Sequence, residues 1–191
     1  PNKETIYPEY MRKPVPNREH NYDNLMEALN QRGVLAIDVR SILLTAKKDS
    51  PIPLYSAEDS HWTRYGLLLS LNPIFKILDL PALEFSKTNN TTRTGDLIKL
   101  LGFTSQETVP EPLLETQPAT KKGRILLYHD SFMDNETYIS LVFQTFTKVH
   151  WIYEPMGQSL TKNLPNHDIL IWEIAERSLP GLVNYDFPGE L

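Results

Sequence analysis

The sequence predicts an α/β fold, a three-layer sandwich with a largely parallel sheet covered by helices on both faces. Two observations carry this. The apolar runs Arg124-Ile125-Leu126-Leu127-Tyr128, Lys148 to Tyr153 and Asp168 to Ile174 have strand length and little polar alternation, as in strands buried on both faces. They alternate with segments whose apolar residues recur at helical spacing, the pattern of a parallel sheet with crossover helices. At 191 residues with 40% hydrophobic content the chain can build one sizeable core, so a single domain over 1–191 is expected.

The elements follow in order. Tyr22 to Gln31 places Leu25, Met26 and Leu29 on one helical face, and Gly33 stops it; Val34 to Val39 then reads as a strand. Trp62 to Leu71 reads as a helix that breaks at Asn72-Pro73 and resumes to Leu78, because proline cannot continue the backbone ladder. Ser86 to Arg93 is polar and aperiodic, the signature of a loop. Thr94 to Leu101 reads as a short helix capped by Thr94 and stopped by Gly102. Thr104 to Gly123, with Pro110, Pro112 and Pro118, reads as another loop. Phe132 to Phe146 has helical spacing, so Ser131 stands at a strand-to-helix turn.

Two short stretches carry the chemistry. In an extended segment side chains alternate, so Asp59 and His61 project together while Ser60 points away. Ser131 lies where an open α/β sheet presents its crevice, and a helix start there offers backbone N–H groups to an oxyanion, Ser131 N–H first. A serine hydroxyl becomes a nucleophile when an imidazole takes its proton and a carboxylate orients the ring. Ser131, His61 and Asp59 therefore form a candidate acyl-transfer triad. The plainer alternatives are that Asp130 caps the helix that follows it, that His129 is a partly buried strand-end histidine, and that Trp62 is a core residue at a helix start.

Five stretches occur in a familiar order: Pro1 to Tyr10, Asp59-Ser60-His61-Trp62-Thr63, Thr94-Gly95-Asp96-Leu97, His129-Asp130-Ser131-Phe132 and Glu173 to Leu179. Over nearly the whole chain this resembles the alginate O-acetyltransferase family of the AlgX and AlgJ type. The resemblance implies an SGNH-hydrolase-like domain in which the Asp-x-His element precedes the serine, the reverse of ordinary SGNH esterases. It also implies a chain that lacks the first strand of the relatives' domain. The implied activity is transfer of acetyl groups to hydroxyls of an extracytoplasmic polysaccharide, in the periplasm or cell envelope. Ser131 is then nucleophile, His61 base and Asp59 its orienting carboxylate. Backbone N–H groups of Ser131 and Gly95 are candidate oxyanion donors, and Trp62, Asn89, Arg93 and Arg177 candidate substrate contacts. No cofactor and no metal are implied, and a membrane-bound O-acyltransferase is the implied source of acetyl groups. The same triad with water as acceptor makes an acetyl esterase. A polysaccharide-binding module that has kept the fold is the other alternative.

Composition narrows the partners. The formal charge of −5, with no basic stripe among aromatics, argues against nucleic acid. Arg12, Lys13, Arg18, Arg93, Lys121, Lys122 and Arg124 offer local basic patches or plain solvated charges. Cysteine is absent, so neither disulfides nor thiolate chemistry enter. No apolar run is long enough to span a bilayer, and His20, His150 and His167 lack metal-ligand spacing.

Overall fold

The computed structural model describes residues 1–11, 19–114, 123–133, 143–144, 146–154 and 159–182. The chain divides into two compact units, Pro1–Glu115 and Thr116–Leu191.

The first unit holds helices α1 (Lys3–Ile6), α2 (Glu19–Gln31), α3 (Val39–Lys47), α4 (Arg64–Ile77) and α5 (Asp96–Leu100), with strands β1 (Phe85–Arg93) and β2 (Glu107–Leu114). Its core includes Ile6, Leu43, Leu54, Leu68 and Phe75, all essentially inaccessible to solvent. Lys47 ties α1 to α3, donating from Nζ to the Ile6 carbonyl at 2.7 Å and to Glu9 Oε2 at 2.8 Å.

Several sequence expectations fail in this unit, each for a local reason. Val34 to Asp38 forms no strand: Val34 and Leu35 are 44% and 69% exposed, and Asp38 instead caps α3, accepting the Ser41 N–H at 3.0 Å and the Tyr22 hydroxyl at 2.8 Å. Once Asp38 satisfies that helix start, the following residues are committed to α3. The break at Asn72-Pro73 is absent, because α4 runs through Pro73 with Leu67, Leu68, Leu71 and Phe75 buried on both sides of it. That burial outweighs one missing backbone bond. The polar stretch 86–93 and residues 107–114 are not loops but β1 and β2, an antiparallel pair running from Phe85↔Leu114 to Arg93↔Glu107. The prolines of β2, Pro110 and Pro112, are compatible with a two-stranded ribbon because, among the described residues, each strand has one side with no ladder partner.

The second unit is built on a parallel sheet of order β4-β3-β5, with β3 Arg124–His129, β4 Lys148–Tyr153 and β5 Ile169–Trp172. These are the three apolar runs read as strands. Central β3 has Ile125, Leu126, Leu127 and Tyr128 completely buried, the expected state of a strand covered on both faces. Leu126 and Tyr128 pack with Leu160, Ile152, Leu164, Leu170 and Trp172. Phe143 packs edge-on against Trp151 at 5.8 Å. The chain leaves β3 into a single 3₁₀ turn, Ser131–Met133. The helix expected over Phe132 to Phe146 falls mostly outside the described residues.

Candidate active site

The loop before α4, in the first unit, carries Asp59 and His61. Trp62 and Tyr55 form an isolated antiparallel bridge, and Thr63 then starts α4, its hydroxyl accepting the Gly66 N–H. Thr63 is itself held by the Leu54 and Pro53 carbonyls, at 2.9 Å from its N–H and 2.7 Å from its hydroxyl. Gly66 permits this closeness, since a Cβ there would lie 2.6 Å from the Leu54 oxygen. Asp59 and His61 do project together: His61 Nδ1 lies 2.7 Å from Asp59 Oδ1, and the same oxygen accepts the His61 backbone N–H at 2.9 Å. A carboxylate bonded to Nδ1 fixes the ring and leaves Nε2 as the nitrogen that exchanges a proton with a hydroxyl. Burial alone would raise the Asp59 carboxyl, yet the hydrogen bonds and charge of His61 hold it well below the usual carboxylate range.

The Thr94-Gly95-Asp96 stretch packs on this loop. Asp96 accepts the Ser60 N–H at 2.6 Å through Oδ1 and the Ser60 hydroxyl through Oδ2, and Oδ2 lies 3.5 Å from His61 Nδ1. Gly95 is the N-cap of α5, where Thr94 was expected. A Cβ at 95 would fall 1.9 Å from the Glu58 carbonyl oxygen, which explains the glycine. Lys3 approaches the same loop, donating to the Ala57 carbonyl at 2.7 Å and the Asp59 carbonyl at 3.1 Å. Burial lowers its ammonium pKa, partly offset by Glu107, Asp59 and Asp96. Donor atoms of Asp59, His61 and Asp96 lie within 4.8 Å of one another, a spacing that also suits a cation.

In the second unit a separate set of residues stands at the carboxyl ends of β3 and β5. Asp130 behaves as the cap that the plainer reading anticipated: its Oδ1 accepts the Phe132 N–H at 2.8 Å and its Oδ2 the Ala175 N–H at 2.8 Å. Glu173, next after β5, accepts the Asp130 N–H at 3.1 Å. Burial, reinforced by the Asp130 carboxylate, pushes the Glu173 carboxyl up to about 8, so it carries a proton at neutral pH. Arg177 donates from Nη2 to Ser131 Oγ at 3.0 Å, with its guanidinium 4.8 Å from the centre of the Phe132 ring. His129 is 6% exposed, edge-on to Trp151 and Tyr153, with Nδ1 2.9 Å from the Asp130 carbonyl. It has the surroundings of a core side chain.

The sequence-expected residues thus fall into two sets. Asp59, His61, Trp62, Asn89, Arg93 and Gly95 belong to the first unit, and Ser131 and Arg177 to the second. Trp62 is 8% exposed, within the core of its unit. Asn89 is exposed on β1, and Arg93 lies 3.7 Å from buried Glu111, which also holds Arg64 at 2.8 Å. Arg124 pairs with Asp168 through two guanidinium contacts, 3.2 and 3.0 Å, and Arg12, Lys13, Arg18, Lys121 and Lys122 lie outside the described residues. Sequence reasoning gave no role to Asp96 or Glu173. A carboxylate immediately after an apolar strand was the available signal for Glu173, and a glycine preceding an aspartate was that for Asp96. Among the described residues no helix is long and apolar enough to cross a membrane.

Residues 1–156 match the family model described as "SGNH hydrolase-like domain, acetyltransferase AlgX". Among solved structures, the O-acetyltransferase domain of Pseudomonas putida AlgJ is similar at 20% identity, over 98% of this chain and 75% of that one, with a TM-score of 0.59. A DHHW family protein from Eubacterium siraeum is similar at 14% identity, over 94% and 76% of the two chains, with a TM-score of 0.63. Pseudomonas aeruginosa AlgX is similar at 17% identity, over 91% and 50%, with a TM-score of 0.50. At these identities the likeness establishes the fold, an SGNH-like α/β fold with a parallel sheet. No curated protein matches the chain.

Proposed function

Because this chain belongs to the AlgX-type family of SGNH hydrolase-like acetyltransferase domains, we propose that it moves acetyl groups through an acyl-enzyme on Ser131, with His61 as base and Asp59 as its orienting carboxylate. The observation that supports the reading is the 2.7 Å pairing of His61 Nδ1 with Asp59, since a carboxylate at that nitrogen favours the tautomer a serine needs. Two features of the second unit support it. Ser131 stands at the exit of a buried parallel strand, and Arg177 donates to its Oγ.

In this mechanism Ser131 Oγ attacks the acetyl carbonyl while its proton passes to His61 Nε2. The oxyanion gathers the charge, facing Ser131 N–H and the Arg177 guanidinium, and Gly95 N–H is the second backbone donor. His61 returns the proton to the leaving group. An acceptor hydroxyl then gives its proton to His61 and attacks the acetyl-serine, and Ser131 is restored when His61 hands that proton back. The acceptor is a hydroxyl of an extracytoplasmic polysaccharide, and a membrane-bound O-acyltransferase supplies the acetyl groups. Asn89 and Arg93 contribute to the acceptor side. The protein works in the periplasm or cell envelope as one domain spanning 1–191.

Mass spectrometry after exposure to an activated acetyl ester is expected to find an acetyl adduct on Ser131 that a sugar acceptor discharges as acetylated sugar. An adduct discharged only as free acetate makes the protein an esterase. Absence of any adduct, with polysaccharide binding retained, makes it a binding module.

A further inference from the structure

A base that receives a proton in each half of an acyl transfer has to carry a positive charge twice per turnover, and here that base sits on a loop with no helix or strand of its own. The loop is held from several sides. Lys3 grips the carbonyls of Ala57 and Asp59. Glu107, on β2, accepts the Ala57 N–H at 3.0 Å. From α5, the Leu97 N–H reaches the Glu58 carbonyl at 3.2 Å, and Gly95 packs on the same carbonyl where no side chain fits. Ser105 also donates to the Glu58 carboxylate. One further tether is chemically different, because it is a charged group that also faces the imidazole.

That group is Asp96. Both of its oxygens are engaged by Ser60, through the backbone N–H at 2.6 Å and the hydroxyl. One of them also lies 3.5 Å from His61 Nδ1, the nitrogen that meets Asp59 at 2.7 Å. A single N–H cannot bond fully to both carboxylates, and the shorter distance assigns it to Asp59. Asp96 therefore acts on the ring as a nearby charge and on the loop as a clamp. At 43% side-chain exposure the charge is partly screened, so its influence is real but moderate.

We propose that Asp96 is a second carboxylate of this site, a positioning residue that fixes the Asp59–His61 loop through Ser60 and stabilises the imidazolium formed in acetyl transfer. The inference rests on His61 acting as the base. It assigns to the Gly95-Asp96 pair a joint function, the glycine permitting the approach and the aspartate using it. The ring nitrogen meets Asp59 on its own loop and Asp96 on α5.

The test compares Asp96→Asn, Asp96→Glu and Ser60→Ala in the full chain, using steady-state hydrolysis of a small acetyl ester. Asn keeps an acceptor for the Ser60 N–H but removes the charge; Glu keeps the charge; Ala at 60 loses the hydroxyl tether but keeps the charge. Asp96→Asn is expected to lower kcat on the order of tenfold with KM unchanged. Asp96→Glu is expected to recover most of that loss, and Ser60→Ala to lower kcat less than Asp96→Asn does. An unchanged kcat in Asp96→Asn, or an Asp96→Glu rate no better than that of Asp96→Asn, overturns the proposal. Full activity in His61→Ala removes the base assignment on which it rests, whereas full activity in Asp96→Asn with His61→Ala inactive removes only the role given to Asp96.

Discussion

Gly95 shows how one missing side chain sets the geometry of a catalytic loop. With a Cβ 1.9 Å from the Glu58 carbonyl, any other residue forces α5 and the loop bearing Asp59 and His61 apart. The backbone there is ordinary, with φ of −67°, so the demand is for space and not for a left-handed conformation. Gly95→Ala is expected to reduce turnover of a small acetyl ester more than tenfold and to destabilise the fold by about 1–3 kcal/mol. Steady-state kinetics and a denaturant titration check the two parts, and a wild-type rate would show that the loop tolerates displacement. Gly66, where a Cβ would lie 2.6 Å from the Leu54 carbonyl oxygen, follows the same logic at the other end of the loop. Asp59 draws most of its help from close by: His61, two residues away, makes the two leading hydrogen bonds that depress its pKa, and Asp96 adds a weaker one.

Elements in the second unit are joined by carboxylates at their carboxyl ends. Asp130 bonds the segment after β5, and Glu173 bonds the segment after β3, so the turns carrying Ser131 and Arg177 are tied to each other. The cost is a buried carboxyl beside a carboxylate. Glu173 is raised to about 8 in the fold against 4.5 unperturbed, so its contribution to stability is fully present below about pH 4.5 and is lost as pH rises through 8. Glu173→Gln keeps an acceptor for the Asp130 N–H and removes the titration. Thermal melts between pH 5 and about 9 are expected to show wild-type stability falling across this window, by on the order of a few kcal/mol, and a flatter profile in the variant. The element scale is also where reading the sequence succeeded unevenly. The parallel strands were legible because burial on both faces leaves a continuous apolar run, as in Ile125 to Tyr128. β1 was not, because a ribbon strand with exposed Lys87 to Asn90 carries no periodic signal and is made only by its pairing with β2. Val34 and Leu35 show the converse, apolar residues left exposed because Asp38 starts a helix too soon after them. In the site, Asp59 and His61 were legible because their partnership is local. Asp96 and Glu173 act across 36 and 43 residues, distances at which a sequence gives no sign of which side chains meet.

At the scale of the whole molecule, the proposed reaction draws its base from the first unit and its nucleophile from the second. Catalysis by such a set is cooperative, since removing one member leaves the others little to do. Ser131→Ala and His61→Ala are each expected to lower kcat for an acetyl ester by at least about a thousandfold, and the double variant to lose little more than either. Steady-state kinetics on the four proteins closes the cycle, and losses that multiply would mean that the two residues act separately. The self-contained turn at Asp59–His61 has a consequence for how such enzymes are assembled along a chain. An imidazole whose carboxylate lies two residues upstream, bonded to both its ring and its backbone, carries its own orienting group. What the proposed reaction then asks of the chain is a meeting between that pair and a serine, and the meeting reads the same from either direction. The base can therefore precede the nucleophile in one lineage and follow it in another without any change in chemistry.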